Sequence, residues 1–308
     1  MRIAAMAAGA VGGYFGARLA AAGHDVIFIA RGAHRDAIAK NGLKVESVHG
    51  DIHLPKPNVT DDPGKVGPVD IVLFAVKLWD TETAAAAARA LLGPDSRLIT
   101  FQNGVDSVER LSAVLGGDRI VGGAAYIATV IGSPGVIKHT SNFAMMRFGR
   151  SDKRPDDRLN AFVDAGKAAK LDIALSADID RELWQKFIFL TAMAGTTASL
   201  RSSIGPIVAD AELRGFFRAL MEEAFAVGKA KGISLDPAYV DERMNFVTSK
   251  VEPGMKASMA HDLERGNRIE LDWLAGKVRA LGKQFGIPTP ASDTVYTVLK
   301  LHRMGSRH

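Results

Sequence analysis

The segment Ala7-Ala8-Gly9-Ala10-Val11-Gly12 spaces small residues and glycines as a backbone must when it lies against a phosphate. Glycines at such a turn permit the tight bend and the close approach, and a following helix adds amide donors and a partial positive charge. The chemistry implied is the holding of a pyrophosphate, hence of a dinucleotide. Ala7 stands where the pattern has its first glycine, and alanine loses the positive-φ conformations that glycine tolerates. Depending on the local backbone angles, the cost runs from negligible to about 1 kcal/mol or more. A degenerate loop that no longer binds dinucleotide is the alternative; Gly9, Gly12 and Gly13 are all retained, which favours binding.

Arg31 follows the apolar run Val26-Ile27-Phe28-Ile29-Ala30, about 20 residues beyond the glycine loop. An acidic residue there would hold the ribose 2′-hydroxyl of NAD; a guanidinium instead pairs bidentately with the 2′-phosphate of NADP. The expected cofactor is therefore NADPH. His34 and Arg35 either assist in that contact or are ordinary surface charges. Two more apolar runs end in polar residues, Phe74-Ala75-Val76-Lys77 and Phe101-Gln102-Asn103-Gly104. Ligands of open α/β sheets sit beyond the carboxyl ends of the strands, which makes Lys77 and Asn103 candidate cofactor contacts.

These residues need strands to end beside them and helices to start there. Residues 2–7, 25–30, 69–76 and 97–101 read as strands, and residues 12–22 and 81–92 as helices. The alternation predicts βαβ units and a doubly wound sheet of the Rossmann type. Residues 120–148 change to strand-like runs broken by Gly132-Ser133-Pro134-Gly135, an expected antiparallel extension. A helix over 156–169 and a last strand over 173–175 follow. Beyond about Asp178 only helical patterns remain, at 181–194, 211–231, 237–251, 258–265, 270–285 and 291–301. The expected organisation is an NADP-binding domain over 1–177 and a mostly α-helical substrate domain over 178–308.

Composition narrows the classes. Of 308 residues, 47% are hydrophobic and 24% charged, ordinary for a globular chain and unlike a disordered one. No cysteine is present, which excludes disulfides and thiolate chemistry. The net charge of +5 is spread along the chain rather than gathered into stripes, so no nucleic-acid partner is expected. The one basic cluster, Lys300, His302, Arg303, Arg307 and His308, reads as a solvated tail. Apolar runs fall far short of the roughly 20 residues that span a bilayer, and the glycine loop rules out reading the start as a signal peptide. The expected location is the cytoplasm. His24, His139 and His261 are scattered without ligand spacing, so no metal is expected.

In sequence order, Gly9-Ala10-Val11-Gly12-Gly13-Tyr14-Phe15-Gly16, Phe74-Ala75-Val76-Lys77 and Gln102-Asn103-Gly104-Val105 are joined by Pro134-Gly135-Val136-Ile137-Lys138-His139 and Leu183-Trp184-Gln185-Lys186. Ser258-Met259 and Glu270-Leu271-Asp272 complete the set. Together these segments resemble the ketopantoate reductase (2-dehydropantoate 2-reductase) family over nearly the whole chain. The resemblance implies transfer of hydride from NADPH to a small 2-keto acid. It implies Lys186 as the general acid, since an ammonium polarises the carbonyl and protonates the oxygen on which charge develops. It further implies that Glu270 orients lysine and substrate and touches the cofactor ribose, that Asn103 holds cofactor and substrate, and that Ser258 meets the substrate carboxylate. Gly266-Asn267 is expected to interrupt the helix between Ser258 and Glu270. The other reading of Ser258 is a simple helix cap.

The resemblance weakens at the substrate. Biosynthetic members of the family place asparagines four and eight residues after the lysine and another further on; here these are Leu190, Ala194 and Ile204. Apolar residues there forfeit hydrogen bonds to a substrate hydroxyl. The expectation is reduction of 2-dehydropantoate to pantoate in pantothenate biosynthesis. A relative reducing a more apolar keto acid, and a non-catalytic NADPH sensor, are the alternatives. Retention of Lys186 with Glu270 argues against the sensor. A homodimer is compatible with the sequence, but apolar helix faces are equally well explained by an internal core.

Overall fold

The computed structural model describes residues 1–306. The chain divides into two compact units, Met1–Ile179 and Asp180–His308.

In the first unit the chain forms β1 (Arg2–Met6), α1 (Ala10–Ala21), β2 (Asp25–Ile29), α2 (Gly32–Asn41), β3 (Leu43–Ser47), β4 (Ile52–Leu54) and β5 (Asn58–Thr60). It continues through β6 (Val69–Phe74), α3 (Thr81–Ala88), β7 (Leu92–Thr100), α4 (Ser107–Leu115), β8 (Ile120–Ser133), β9 (Val136–Gly149), α5 (Asp157–Ala168) and β10 (Asp172–Leu175). Six strands in the order β5-β2-β1-β6-β7-β8 run parallel. Their side chains alternate between two apolar clusters. Ile3, Ala5, Phe28, Ile71 and Leu73 pack with Tyr14 and Phe15 of α1 and Phe162 of α5, while Ala4, Met6, Ile27, Val72 and Phe74 pack with Ala84 and Ala85 of α3 and Leu111 of α4. Both faces are covered, which is why the strands read as unbroken apolar runs.

The expected antiparallel extension is the hairpin of β8 and β9, and β3 and β10 join the far side of β9 in parallel. The expected helix over 81–92 is shorter: it ends at Ala88, passes through the 3-10 turn Arg89–Leu91, and gives way to β7 ahead of Gly93-Pro94, which cannot continue a helix. At the start of α5 the buried Asp156 carboxylate accepts the Leu159 amide at 3.2 Å and pairs with Arg97 at 2.6 Å. That joins helix capping to the end of the sheet opposite the glycine loop.

The second unit is α6 (Ile179–Ser199), α7 (Ile204–Ala209), α8 (Ala211–Ala230), α9 (Tyr239–Ser249), α10 (Ser258–Glu264), α11 (Ala275–Phe285) and α12 (Pro290–Leu299). It has no strand among the described residues. The first helix runs past its expected end at 194. There Thr196 and Thr197 turn their hydroxyls back onto the Ala192 and Met193 carbonyls, at 2.8 and 2.6 Å, so their polar atoms are satisfied inside the core. A single helix over 270–285 is not formed. Leu274, at φ −105° and ψ −98°, separates a 3-10 turn at Leu271–Trp273 from α11.

The described part of the C-terminal basic segment is tied back to the chain before α11. The Arg303 carbonyl accepts the Ile269 amide at 3.2 Å, and the Ser306 amide donates to the Gly266 carbonyl at 2.8 Å. Arg307 and His308 lie outside the described residues.

Candidate active site

Strand register sets the candidate nucleotide site of the first unit. Met6 is level with Ile29 of β2 and with Phe74 of β6, and Phe74 with Thr100 of β7. Ala7, Arg31, Lys77 and Asn103 therefore follow strands that end together, at the β1/β6 switch point where the strand order reverses. Ala7 sits at φ +63°, the left-handed region that glycine favours, so the substitution is strained by about 1 kcal/mol. Gly12 has no freedom to vary: a Cβ there would stand 2.6 Å from the Ala7 carbonyl oxygen. Gly9 is the opposite case. A Cβ on it would meet nothing nearer than Ile131 Cδ1 at 4.0 Å, so the space in front of it is open.

Gly9 is also the N-cap of α1, and no side chain caps that helix. Its first amides, with those of Ala10 and Val11, face a cradle that a side chain would fill and an anion fits. The residues present thus suit a pyrophosphate. Ala8 is buried behind them as the loop's inner wall.

Arg31 is exposed at the N-cap position of α2, with no carboxylate at the end of β2 to compete for a ribose hydroxyl. Its two neighbours each have partners of their own. Arg35 is paired with Asp61 at 3.0 Å and Asp36 at 3.2 Å. His34 donates from Nε2 to the Ala8 carbonyl at 3.0 Å and accepts the Gly135 amide on Nδ1 at 3.1 Å. Burial also lowers its pKa, so the ring is neutral.

Lys77 is exposed, its Nζ 5.6 Å from the Trp79 ring centre, and Asn103 is half-buried. Next to both lies the buried Gln102, which sequence reading did not single out. Its side-chain amide donates to the Val76 carbonyl at 3.1 Å and to Thr81 Oγ1 at 2.8 Å, locking the loop after β6 to the loop after β7. The signal was present as a polar residue wedged between Phe101 and Asn103.

In the helical unit, Lys186 is set by its neighbours in α6. Trp184 is buried edge-on to Phe187 at 5.5 Å and against α8, where a Cβ on Gly228 would come within 2.8 Å of its ring. Tyr239 of α9 donates its hydroxyl to the Gln185 carbonyl at 2.5 Å. With Trp184, Phe187 and Ile188 facing the core, Lys186 falls on the other side of the helix. Loss of water pushes its ammonium down to about 8, opposed by the negative charge of Glu270. Glu270 is buried, 7% exposed, in the non-helical turn that precedes Leu271–Trp273. A dehydrated lysine beside a buried acid makes a proton donor poised near neutral pH.

Ser258 is exposed as the first residue of α10; the cap position belongs to Ala257, and no side chain caps the helix. The capping reading of Ser258 therefore fails, and its hydroxyl is available for other work. Leu190 is half-buried, and Ala194 and Ile204 are fully buried, so apolar groups do occupy the three positions. Ile204 borders a pocket of about 430 Å³ with Pro206, Val208, Val251 and Pro253, which does not include Lys186 or Glu270.

A parallel sheet with a phosphate cradle at its switch point, and a helical unit carrying a lysine–glutamate pair, define a two-unit oxidoreductase of the Rossmann class. Residues 3–153 match the family described as Ketopantoate reductase PanE/ApbA, and residues 178–303 match Ketopantoate reductase PanE/ApbA C terminal. The chain belongs to the ketopantoate reductase family. It is 30% identical over 302 residues to Uncharacterized oxidoreductase YkpB of Bacillus subtilis (strain 168), covering 98% of this chain and 99% of that one. It is 31% identical over 321 residues to a 2-dehydropantoate 2-reductase of Mesorhizobium japonicum, covering 97% of each. The crystal structure of 2-dehydropantoate 2-reductase from Geobacter metallireducens GS-15 superposes with a TM-score of 0.91 at 31% identity, covering 98% of this chain and 99% of that one. No described helix is long and apolar enough to cross a membrane.

Proposed function

We propose that this protein uses NADPH to reduce a 2-keto acid to the 2-hydroxy acid, with 2-dehydropantoate, giving pantoate for pantothenate synthesis, as the first candidate. The observation that carries the reading is the dehydrated Lys186 beside buried Glu270. NADPH supplies the hydride. The amides of Gly9, Ala10 and Val11 hold its pyrophosphate, Arg31 its 2′-phosphate, and Lys77 and Asn103 flank it at the strand ends. The Lys186 ammonium polarises the substrate ketone and delivers the proton to its oxygen. Glu270 keeps that ammonium charged and oriented and meets the cofactor ribose, and the Ser258 hydroxyl receives the substrate carboxylate. This chemistry belongs in the cytoplasm, where NADPH is kept reduced.

Leu190 and Ala194 support a second reading within the same reaction, a substrate with an apolar group where pantoate carries its hydroxyl. The deciding experiment compares kcat/KM for 2-dehydropantoate with 2-ketoisovalerate, 2-keto-4-methylvalerate and phenylpyruvate, each with NADPH and NADH. A lead of orders of magnitude for 2-dehydropantoate establishes the first candidate, and a lead for an apolar acid establishes the second. NADPH is expected to be preferred and Arg31→Ala to abolish the preference; turnover of none of these acids overturns the proposal.

A further inference from the structure

The peptide groups of Ala8, at the heart of the glycine loop, are gripped from two sides. Its amide donates to the Ile29 carbonyl at the end of β2, at 2.7 Å, and its carbonyl accepts from His34 Nε2 at 3.0 Å. The other ring nitrogen of His34 accepts the amide of Gly135 at 3.1 Å. Gly135 lies in the turn between β8 and β9, and its own carbonyl accepts the Lys44 amide at 2.9 Å. One imidazole thus joins the glycine loop to the tip of a long hairpin. The same hairpin places Ile131 Cδ1 4.0 Å from where a Cβ on Gly9 would stand.

The loop needs such a grip because Ala7 is held at φ +63°. A non-glycine residue keeps that conformation only when its surroundings over-determine it. We infer that His34 is a positioning residue for the nucleotide: by tying the Ala8 carbonyl to the hairpin turn, it keeps the amides of Gly9, Ala10 and Val11 facing the phosphates. This rests on the reading of the glycine loop as the nucleotide site. His34 acts through the loop and carries no charge to the cofactor.

Only the neutral ring with its proton on Nε2 can serve, donating to one backbone group and accepting from the other. A second proton on Nδ1 would set two donors face to face at Gly135. The charged groups nearby are Arg31 at the N-cap position of α2, Arg35 on α2, paired with Asp36 and Asp61, and Lys138 of β9, paired with Glu46 of β3 at 3.3 Å. Neither residues 7–12 nor the turn at residues 132–135 bears a titratable side chain. Burial holds the ring below its ordinary pKa, so the tie persists at neutral pH and loosens toward acid.

The test uses the whole protein, with His34→Leu and His34→Gln. NADPH affinity is read by fluorescence titration, and hydrogen exchange of the Gly135 amide is read without nucleotide. His34→Leu is expected to weaken NADPH about tenfold, the scale of two lost hydrogen bonds, with kcat at saturating NADPH within about twofold of wild type. Exchange at Gly135 is expected to quicken. His34→Gln, which retains a donor toward Ala8 but no acceptor for Gly135, is expected to give an intermediate affinity with fast exchange. If His34→Leu destabilises the fold, the Gln variant carries the comparison. Unchanged exchange at Gly135 overturns the tie itself, and quickened exchange with unchanged affinity overturns its role in positioning. A wild-type protein that takes up no NADPH overturns the nucleotide reading on which the inference rests.

Discussion

Glu270 stands close enough to Lys186 for its negative charge to raise the proton affinity of the lysine, against a loss of water that pushes it down to about 8 from an ordinary 10.5. The two effects leave an ammonium that is charged at neutral pH yet able to release its proton. Reduction needs the charged form, so kcat/KM for the keto acid should fall as pH rises through about 8. Oxidation of the hydroxy acid needs the neutral amine and should rise through the same range. Glu270→Gln removes the supporting charge and should move both limbs to lower pH. Lys186→Ala should lose about 10²–10⁴-fold in kcat while NADPH affinity stays within about twofold. A pH profile that does not move in Glu270→Gln would break the link between the two residues.

The same lysine is costly to the fold. Its pKa in the folded chain lies below that in the unfolded chain, so between about 8 and 10.5 the unfolded state binds more protons and stability rises with pH. At pH 7, below that window, the lysine is charged in both states and the fold carries the cost of its lost water, so Lys186→Met is expected to raise the melting temperature as it abolishes turnover. Calorimetry at pH 7 checks this, and a lower melting temperature for Lys186→Met would contradict it.

Gly9 and Gly12 separate nucleotide binding from folding. A methyl group on Gly9 enters open space, its nearest neighbour 4.0 Å away, so Gly9→Ala should keep its melting temperature and still lose NADPH affinity by tenfold or more, about 1.4 kcal/mol. A methyl group on Gly12 stands 2.6 Å from the Ala7 carbonyl oxygen, which cannot retreat without moving the loop. Gly12→Ala should therefore lose both stability and affinity. Thermal unfolding paired with NADPH titration distinguishes them; equal losses of stability would show that the cradle in front of Gly9 is not open.

The glycine loop was legible because its chemistry is local: the small residues, the strand before them and the helix after them lie within a dozen positions. The sheet was legible because both faces of β6 are buried, so Ile71, Val72, Leu73 and Phe74 carry no polar interruption. Strands β3, β4 and β5 were not, since three to five residues exist as strands only through partners elsewhere in the chain. Lys186 was recognised through the resemblance alone. Its lowered proton affinity comes from burial, with Glu270 opposing it, and neither is visible in the spacing of α6. His34 was read as either a helper to Arg31 or a surface charge, because nothing local reveals that Gly135 presents an amide to its ring. The break at Leu274 was hidden for the opposite reason: the residues around it have ordinary helix propensity, and the unusual backbone angles belong to the packed structure.

Glu223 supplies a last prediction, concerning what holds the helical unit together. This carboxylate on α8 is 9% exposed and accepts the amides of Ala291 and Ser292, at 2.6 and 2.8 Å, and the Ser292 hydroxyl at 2.7 Å. It caps α12 from a neighbouring helix, because Thr289 at the cap position makes no side-chain bond and Pro290 contributes no amide. A negative charge at that end of a helix is also favoured by the helix dipole. Glu223→Ala leaves two buried amides and a hydroxyl without this acceptor and should cost about 3 kcal/mol, with Glu223→Gln losing about half of that because one oxygen remains to accept. Denaturant unfolding of the two variants measures the difference. Equal stability of Glu223→Ala and wild type would mean that water replaces the carboxylate, and that α12 is held by Val295 and Leu299 alone.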